Sequence, residues 1–323
     1  MTRGTASHAA WIAASRFASN FWSRRLISAT RRANPNDAEL LANIAGLLER
    51  QGEAGEALPL LEKAAELDPR SVATATGYGY ALSRAGRYAE AERQFDRAIA
   101  LAPDQIRPYA AKLDHYRYLR GDREGARRVL REGSARMGRM AFATNLMSWD
   151  YSHFRVFADE LAELLDQMSV ESFAHDTVSH YHYHLAKGWS HADGGRPERA
   201  RASYDSARVI LEDWLRRAES NAYWLTDLSW AYAGLGRSAE AFAAARRALG
   251  AVPPLKDFLW GNHNALALAE VHMVLGRTDE ALDLLASLVE RAPRYAASLR
   301  VDPLWDPLRD DPHFQRLLER HDS

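Results

Sequence analysis

A short glycine-led segment returns along the chain at regular intervals. Its clearest copies are GEAGEAL from Gly52, GRYAEAE from Gly86, GRSAEAF from Gly236 and GRTDEAL from Gly276, with weaker copies from Gly121 and Gly195. Each copy lies between two stretches in which apolar residues recur with helical spacing. The interval from Gly52 to Gly86 is 34 residues. A fixed period of this size indicates a chain built from stacked units, in which each unit needs a neighbour to cover its apolar face.

Small residues and prolines hold fixed places around each glycine. Four copies supply the same series in register: Ala45, Gly52, Ala57, Leu61, Ala64 and Pro69; Gly79, Gly86, Ala91, Phe95, Ala98 and Pro103; Ser229, Gly236, Ala241, Ala245, Ala248 and Pro253; Ala269, Gly276, Ala281, Leu285, Leu288 and Pro293. Small side chains allow two helices to cross closely. The central glycine suits a left-handed helix end, and the proline stops the second helix. The series therefore predicts repeated helix pairs.

This series resembles the tetratricopeptide repeat family. The resemblance implies an all-α fold, a right-handed superhelix (α-solenoid) of about seven helix pairs with an N-terminal helix and a C-terminal cap. It also implies a concave surface, lined by the first helix of each pair, on which a partner peptide or protein binds. Such a scaffold is non-catalytic, so the resemblance predicts that the chain is not an enzyme and needs no cofactor.

The repeat quality divides the chain into five parts. We assign 1–35 to a basic aromatic N-terminal helix or cap, 36–139 to three repeats, 140–221 to degenerate helix pairs, 222–295 to further repeats, and 296–323 to a C-terminal Asp-Pro segment with a capping helix. The register is unclear between 105 and 221 because the signature fades there. We expect helices near 135–149, 155–168, 176–191 and 197–218 in this middle part.

The C-terminal segment SLRVDPLWDPLRDDPHFQRLLERH carries three Asp-Pro units before its last helix. Together with the long helix before Ala218 and the insertion PPLKDFLWGN, it is similar to the C-terminal repeat region of bacterial regulators. Those regions commonly follow a protein kinase, a nucleotide cyclase or a winged-helix DNA-binding domain. No motif of these three activities occurs in the 323 residues. The resemblance therefore implies a regulatory role in a bacterial cytoplasm, without transferring any of these activities.

The N-terminal segment is the one part with a strong charge bias. Residues 1–36 contain no acidic side chain, and six arginines alternate there with aromatic and aliphatic residues. Three interpretations stay open: a helix that caps the first repeat, an amphipathic helix for an anionic membrane surface, and a helix that packs on an upstream domain or reflects a mistaken gene start. Membrane contact is the less favoured of the first two.

Composition excludes several function classes. The 42 Lys and Arg residues nearly cancel the 43 Asp and Glu residues, and the net charge of −1 predicts no binding to nucleic acid through overall charge. The absence of cysteine removes disulfides, cysteine-ligated metals and thiol catalysis. No phosphate-binding loop or nucleophile elbow occurs, so we name no catalytic residue.

Six of the twelve histidines fall between His153 and His191. His180 and His184 share one face of a predicted helix, a spacing that can chelate a transition metal. However, Tyr181 stands where a zinc protease would carry its glutamate, and no acid completes a second shell. We therefore predict no metal site.

The partner site is predicted from the repeat register. The positions that family first helices turn toward the concave face are Thr76, Tyr80, Ser83, Thr226, Trp230, His263 and Glu270. Trp230 is the strongest candidate, because a tryptophan offers a large contact area at low entropic cost. We expect Trp230, Tyr80, His263 and Glu270 to project into a groove without filling the core.

Two further functions stay open beside protein recognition. The first alternative is a ligand-sensing domain that binds a small molecule in a closed apolar cavity near Trp149, Phe154, Tyr181 and Trp189. The second is an accessory subunit of an enzyme that contacts a membrane through residues 8–32. The sequence identifies neither the partner nor the oligomeric state.

Overall fold

The computed structural model describes residues 34–173 and 176–319 of the chain. Within these ranges every regular element is a helix and no strand occurs, so the prediction of an all-α solenoid is confirmed. Of the predicted basic aromatic helix or cap, 1–35, residues 1–33 lie outside the described ranges. In the described part of the chain no helix combines the length and the apolar character that crossing a membrane requires.

Seven consecutive helix pairs account for most of the described chain. They are α1 (Ala38–Arg50) with α2 (Ala54–Leu67), α3 (Val72–Arg84) with α4 (Tyr88–Leu101), α5 (Ile106–Asp114) with α6 (Arg123–Met137), α7 (Arg139–Trp149) with α9 (Ala158–Gln167), α10 (Thr177–Asp193) with α11 (Pro197–Leu215), α12 (Ala222–Gly234) with α13 (Ser238–Ala251), and α14 (Phe258–Val274) with α15 (Thr278–Arg291). The chain ends with α16 (Tyr295–Val301), a 3₁₀ turn (Pro303–Leu308) and α17 (Pro312–Glu319).

The glycine that opens each copy of the motif lies in the turn between the two helices of a pair. All six of these glycines have a positive φ, between 64° and 82°. Side chains other than hydrogen are strained in this left-handed region, which explains why the turn position is glycine in every copy. The predicted left-handed helix ends are therefore confirmed.

The small residues lie where the helices of a pair cross. Ala91 and Ala241 are fully buried. A Cβ atom added to Gly79 would lie only 2.7 Å from the ring of Phe95, so this position accepts hydrogen alone. The glycine-rich stretch around Gly79 is thus a packing feature, because the ring of the second helix fills the space above it.

The middle of the chain is helical where the sequence predicted helices, with one difference. A short helix, α8 (His153–Val156), stands between α7 and α9, and the chain leaves helical geometry at Asp150 and again at Phe157. Residues 149–157, which we call the inner segment, therefore form a separate connection inside the fourth helix pair. The sequence pattern predicted a single helix from 155 to 168.

The first helix pair contacts the last one. Arg50 Nε at the end of α1 lies 2.6 Å from Asp257 Oδ2, the residue that caps the start of α14. A Cβ atom added to Gly52 would lie 3.5 Å from the ring of Phe258, so the two residues are close neighbours. A Cβ atom added to Gly121, in the turn of the third pair, would lie only 2.8 Å from the backbone oxygen of Ala297 in α16. The two ends of the solenoid meet, and the concave face encloses an interior.

Candidate interaction site

Three of the predicted groove residues are buried in helix packing. Thr76, Ser83 and Thr226 are at most 4% exposed. Ser83 Oγ donates to the carbonyl oxygen of Gly79 and lies 2.7 Å from His115 Nδ1, and Thr226 Oγ1 donates to Asn264 Oδ1 at 3.1 Å. The expectation that these side chains face an open groove is wrong. Their hydroxyl groups already bond to atoms of their own and neighbouring helices.

The prediction that Trp230 projects into the groove without filling the core is also wrong. Its side chain is 4% exposed. The ring of Trp189 meets it edge-on with the centroids 5.1 Å apart, and the guanidinium carbon of Arg155 lies 4.8 Å from its centroid. Trp230 is buried because the inner segment brings Arg155 against it, an arrangement that the repeat register does not reveal.

Arg155 of the inner segment is the centre of this arrangement. Its Nε and Nη2 donate to Asp302 at 3.1 and 2.6 Å, and Nη2 also donates to Glu270 Oε1 at 2.9 Å. The same guanidinium group lies 4.7 Å from the ring centroid of Trp189, so it contacts two indole rings as well as two carboxyl groups. Cation–π contacts of this kind strengthen when the cation is shielded from water.

Asp302 joins Arg155 to a second buried arginine. Arg117 Nη2 lies 3.6 Å from Asp302 Oδ2, and Arg117 Nη1 donates to Ser152 Oγ at 2.7 Å. Burial acts to raise the pKa of Asp302, but Arg155 and Arg117 outweigh it and lower that pKa below its ordinary value. Asp302 is therefore ionised at neutral pH and neutralises part of both guanidinium charges.

The network continues to the far side of the interior, where Tyr80 lies. Tyr80 Oη donates to Asp114 Oδ2 at 2.8 Å, and Trp149 Nε1 donates to the same oxygen at 3.4 Å. The other oxygen, Asp114 Oδ1, is 3.4 Å from His153 Nε2. The predicted residues Tyr80 and Glu270 thus lie at opposite ends of one polar network that passes through the inner segment.

Asp114, Asp150 and His153 place three potential metal-ligand atoms within 4.8 Å of one another. Arg117 Nη1, which can only donate, lies 3.3 Å from His153 Nδ1. His153 Nδ1 then accepts from Arg117, which leaves Nε2 to carry a proton toward Asp114 Oδ1, 3.4 Å away. A metal-bound histidine needs the reverse, with its second nitrogen donating to an acceptor. The three residues therefore fit a hydrogen-bonded network and not a metal centre.

The histidines singled out by spacing have other surroundings. His180 Nε2 lies 3.1 Å from the carbonyl oxygen of Phe173. Burial, with a smaller effect of His180, lowers the pKa of His184. His182 is fully buried and bonds to the carbonyl oxygen of Met147 and to Tyr223 Oη. His175 lies outside the described residues.

His263 is one of the predicted groove residues that are partly exposed. It lies on α14 two turns before Glu270, and its ring meets that of Trp260 with the centroids 5.6 Å apart. Burial lowers the pKa of His263; Asp150 opposes this shift and Arg117 adds to it. His263 thus lies near charges of the same network to which Tyr80 bonds, and both residues are partly exposed.

Three of the four residues expected to line a small-molecule cavity are packed into the apolar core. Phe154, Tyr181 and Trp189 are at most 7% exposed and belong to the main apolar core. An open recess of about 450 Å³ lies elsewhere, between α4 and α6, where Pro103 and Tyr109 line it. The geometry does not favour ligand sensing in the middle region.

The sequence analysis missed three residues that organise this site. Arg155 lies in α8, Asp302 lies just before the 3₁₀ turn, and Arg117 lies in a π-helical turn (His115–Arg120) that joins α5 to α6. Two of them carry a weak signal in the sequence. Arg155 is an arginine inside the apolar run HFRVF, and Asp302 opens the first of three Asp-Pro units. A charge placed in such surroundings needs a buried partner.

Comparisons with known proteins identify the repeats independently. Three family models, each described as tetratricopeptide repeat, match residues 48–113, residues 23–72, and residues 181–206 with 265–287. No curated protein shows significant sequence similarity to the chain.

Several solved structures have a similar fold. PilW, a widely conserved type IV pilus biogenesis factor, is 13% identical over 87% of this chain and 98% of its own, with a TM-score of 0.33. YrrB, a TPR protein with an unusual peptide-binding site, is 14% identical over 84% and 95%, with a TM-score of 0.25. A thermophilic TPR protein from Thermus thermophilus is 16% identical over 88% and 98%, with a TM-score of 0.27. These TM-scores are below 0.5, so the likenesses do not bear on function.

Proposed function

We propose that this chain, which carries tetratricopeptide repeats, is a non-catalytic scaffold that binds a partner peptide or protein on its concave face. Scaffolds of this kind use stacked helix pairs to present an extended binding surface. The fold supports protein–protein interaction in general, and we propose the concave face as its binding surface. We place this role in the regulation of a cytoplasmic process.

The observation that carries the proposal is the lining of the interior. Tyr80, Trp149 and His263 come from the second, fourth and seventh helix pairs and keep part of their surface exposed there. Large aromatic and amphipathic side chains of this type are frequent at the energetic centres of protein interfaces. The polar network beneath them holds Tyr80 and Trp149 in place through Asp114.

Site-specific cross-linking tests this proposal directly. A photoreactive phenylalanine analogue replaces Tyr80 or His263 on the concave face, or Val209 as a control. Val209 lies on a second helix and is 52% exposed. In lysate of the native host we expect positions 80 and 263 to cross-link the same partner and position 209 to give no product with it. Cross-links to a defined partner at 209, with none at 80 and 263, would place the interface on the other face.

A further inference from the structure

We infer that Trp189, Trp230, Glu270 and Asp302 form a built site for a guanidinium group, that Arg155 occupies it in the free protein, and that the partner binds by placing an arginine there. This inference rests on the proposed function, because it states which chemistry the concave face recognises. It makes the inner segment an internal competitor of the partner.

The site matches a guanidinium group in both shape and charge. Two carboxyl groups accept from Nε and Nη2 at 2.6 to 3.1 Å, and two indole rings contact the flat guanidinium at 4.7 and 4.8 Å. An arginine can pair with a carboxylate through two parallel bonds and stack on an aromatic ring at the same time. The ammonium group of a lysine is a compact point charge and cannot reproduce this combination.

Arg155 does not use all of its hydrogen-bonding groups in this place. Its Nη1 atom is buried and has no hydrogen-bond partner. A buried donor without a partner is unfavourable. An arginine that enters from another direction, with a different fork orientation, can satisfy the same carboxyl groups without this loss. The internal occupant is therefore replaceable in principle.

Removal of Arg155 without a replacement is strongly disfavoured, and this makes the site selective for another cation. Without Arg155, the carboxyl groups of Asp302 and Glu270 stay buried, with side chains 6% and 12% exposed, and Arg117 reaches only Asp302, at 3.6 Å. Buried carboxylates need a cation close by. The departure of Arg155 must accordingly be coupled to the arrival of another cation, and the two indole rings favour a guanidinium group, which can lie against an aromatic face.

His263, which is partly exposed, lies on the same helix as Glu270 of the site. His263 and Glu270 are seven residues apart on α14, which places them about 10 Å apart on one helix face. A peptide that lies along α14 over His263 is therefore long enough to reach Glu270 with an arginine side chain. Because the internal occupant has a high effective concentration, one arginine alone will not displace it, and the peptide needs these additional contacts.

Removal of the Arg155 side chain tests the site in the absence of any partner. Arg155→Ala is compared with the wild-type protein for binding of N-acetyl-arginine amide, with N-acetyl-citrulline amide as an uncharged probe of the same shape. We expect Arg155→Ala to bind the arginine amide at least about tenfold more tightly than the wild type does. Calorimetry measures the affinity, and the fluorescence of Trp189 and Trp230 should change on binding. Citrulline amide should bind neither protein.

Equal binding of the two amides to Arg155→Ala, or no binding of either to the folded variant, would overturn the inference. If Arg155→Ala does not fold alone, recovery of its helical circular dichroism becomes the measurement. Recovery with arginine amide and not with citrulline amide supports the site, whereas no recovery with either counts against it. This outcome is independent of the cross-linking result: a partner captured at position 263 with no arginine response leaves the proposed function standing and removes only this inference.

Discussion

Arg155 and Asp302 are 147 positions apart in the chain, yet two hydrogen bonds of 2.6 and 3.1 Å join their side chains inside the solenoid. One residue belongs to the inner segment of the fourth helix pair, and the other caps the 3₁₀ turn near the C-terminus. This contact fixes the inner segment against the last part of the chain. It also explains why the concave face is not an open groove.

Asp302→Asn should destabilise the protein by about 3 kcal/mol or more, because it removes the negative charge between two buried arginines. The asparagine oxygen can still accept from the backbone N–H of Leu304, so the cap itself is kept. Asp306→Asn is the control, since Asp306 belongs to the next Asp-Pro unit but is 63% exposed and pairs with Arg309 on the surface. Its cost should stay below about 1 kcal/mol. Chemical denaturation of both variants measures the difference, and equal costs would contradict the buried role of Asp302.

Trp230→Ala should lower the free energy of unfolding by about 3 to 5 kcal/mol, because it removes a buried indole from between Trp189 and Arg155. Leu255→Ala is the control, because Leu255 is fully exposed and its loss should change stability by no more than about 0.5 kcal/mol. Thermal or urea unfolding gives both values. A cost for Trp230→Ala as small as that of the control would mean that the ring is not part of the core.

Ala91→Trp should destabilise the second helix pair by about 1 to 3 kcal/mol or more, because the crossing point has no room for an indole. Ala89→Trp on the same helix is the matched control, since Ala89 is exposed and its side chain points away from the pair. The melting temperature should fall for the first variant and stay near the wild-type value for the second. Similar melting curves for all three proteins would argue against the repeat register.

Asp227→Asn should change how stability depends on pH. Burial raises the pKa of Asp227 from 3.8 to about 7, although Tyr151 and Tyr181 oppose this shift through their hydroxyl groups, and Tyr151 Oη donates to Asp227 Oδ1 at 2.5 Å. The folded protein therefore holds a proton that the unfolded chain releases near its ordinary pKa. The stabilising contribution of the protonated form is complete below pH 4 and is lost as the pH rises through about 7.

Urea unfolding of the wild type and Asp227→Asn between pH 5 and 8 measures this effect. The wild type should lose stability relative to the variant as the pH rises, by at most about 1.4 kcal/mol per pH unit below pH 7. The histidines are common to both proteins, so their contributions cancel in the difference between the two free energies of unfolding. A difference between the two proteins that does not change with pH would show that Asp227 has no raised pKa.

The sequence was most informative about contacts between neighbours in the chain. The six motif glycines predicted the left-handed turns, and Gly79 with Phe95 predicted a close helix crossing. These features depend on residues within one repeat, because a helix end and a helix crossing are set by local backbone conformation and side-chain size. The same local rules predicted helices in the middle part, where the signature itself is weak.

The tertiary structure alone decided which residues of the concave face are buried. The register placed Trp230 on a first helix correctly, but its burial follows from Arg155, 75 residues earlier in the chain. The meeting of the two ends through Arg50 and Asp257, 207 positions apart, is likewise absent from any single repeat. A repeat sequence determines how each helix pair packs on the next one. The whole superhelix must form before two further features are decided. These are the places where its curvature brings distant pairs together, and the segment that fills the interior.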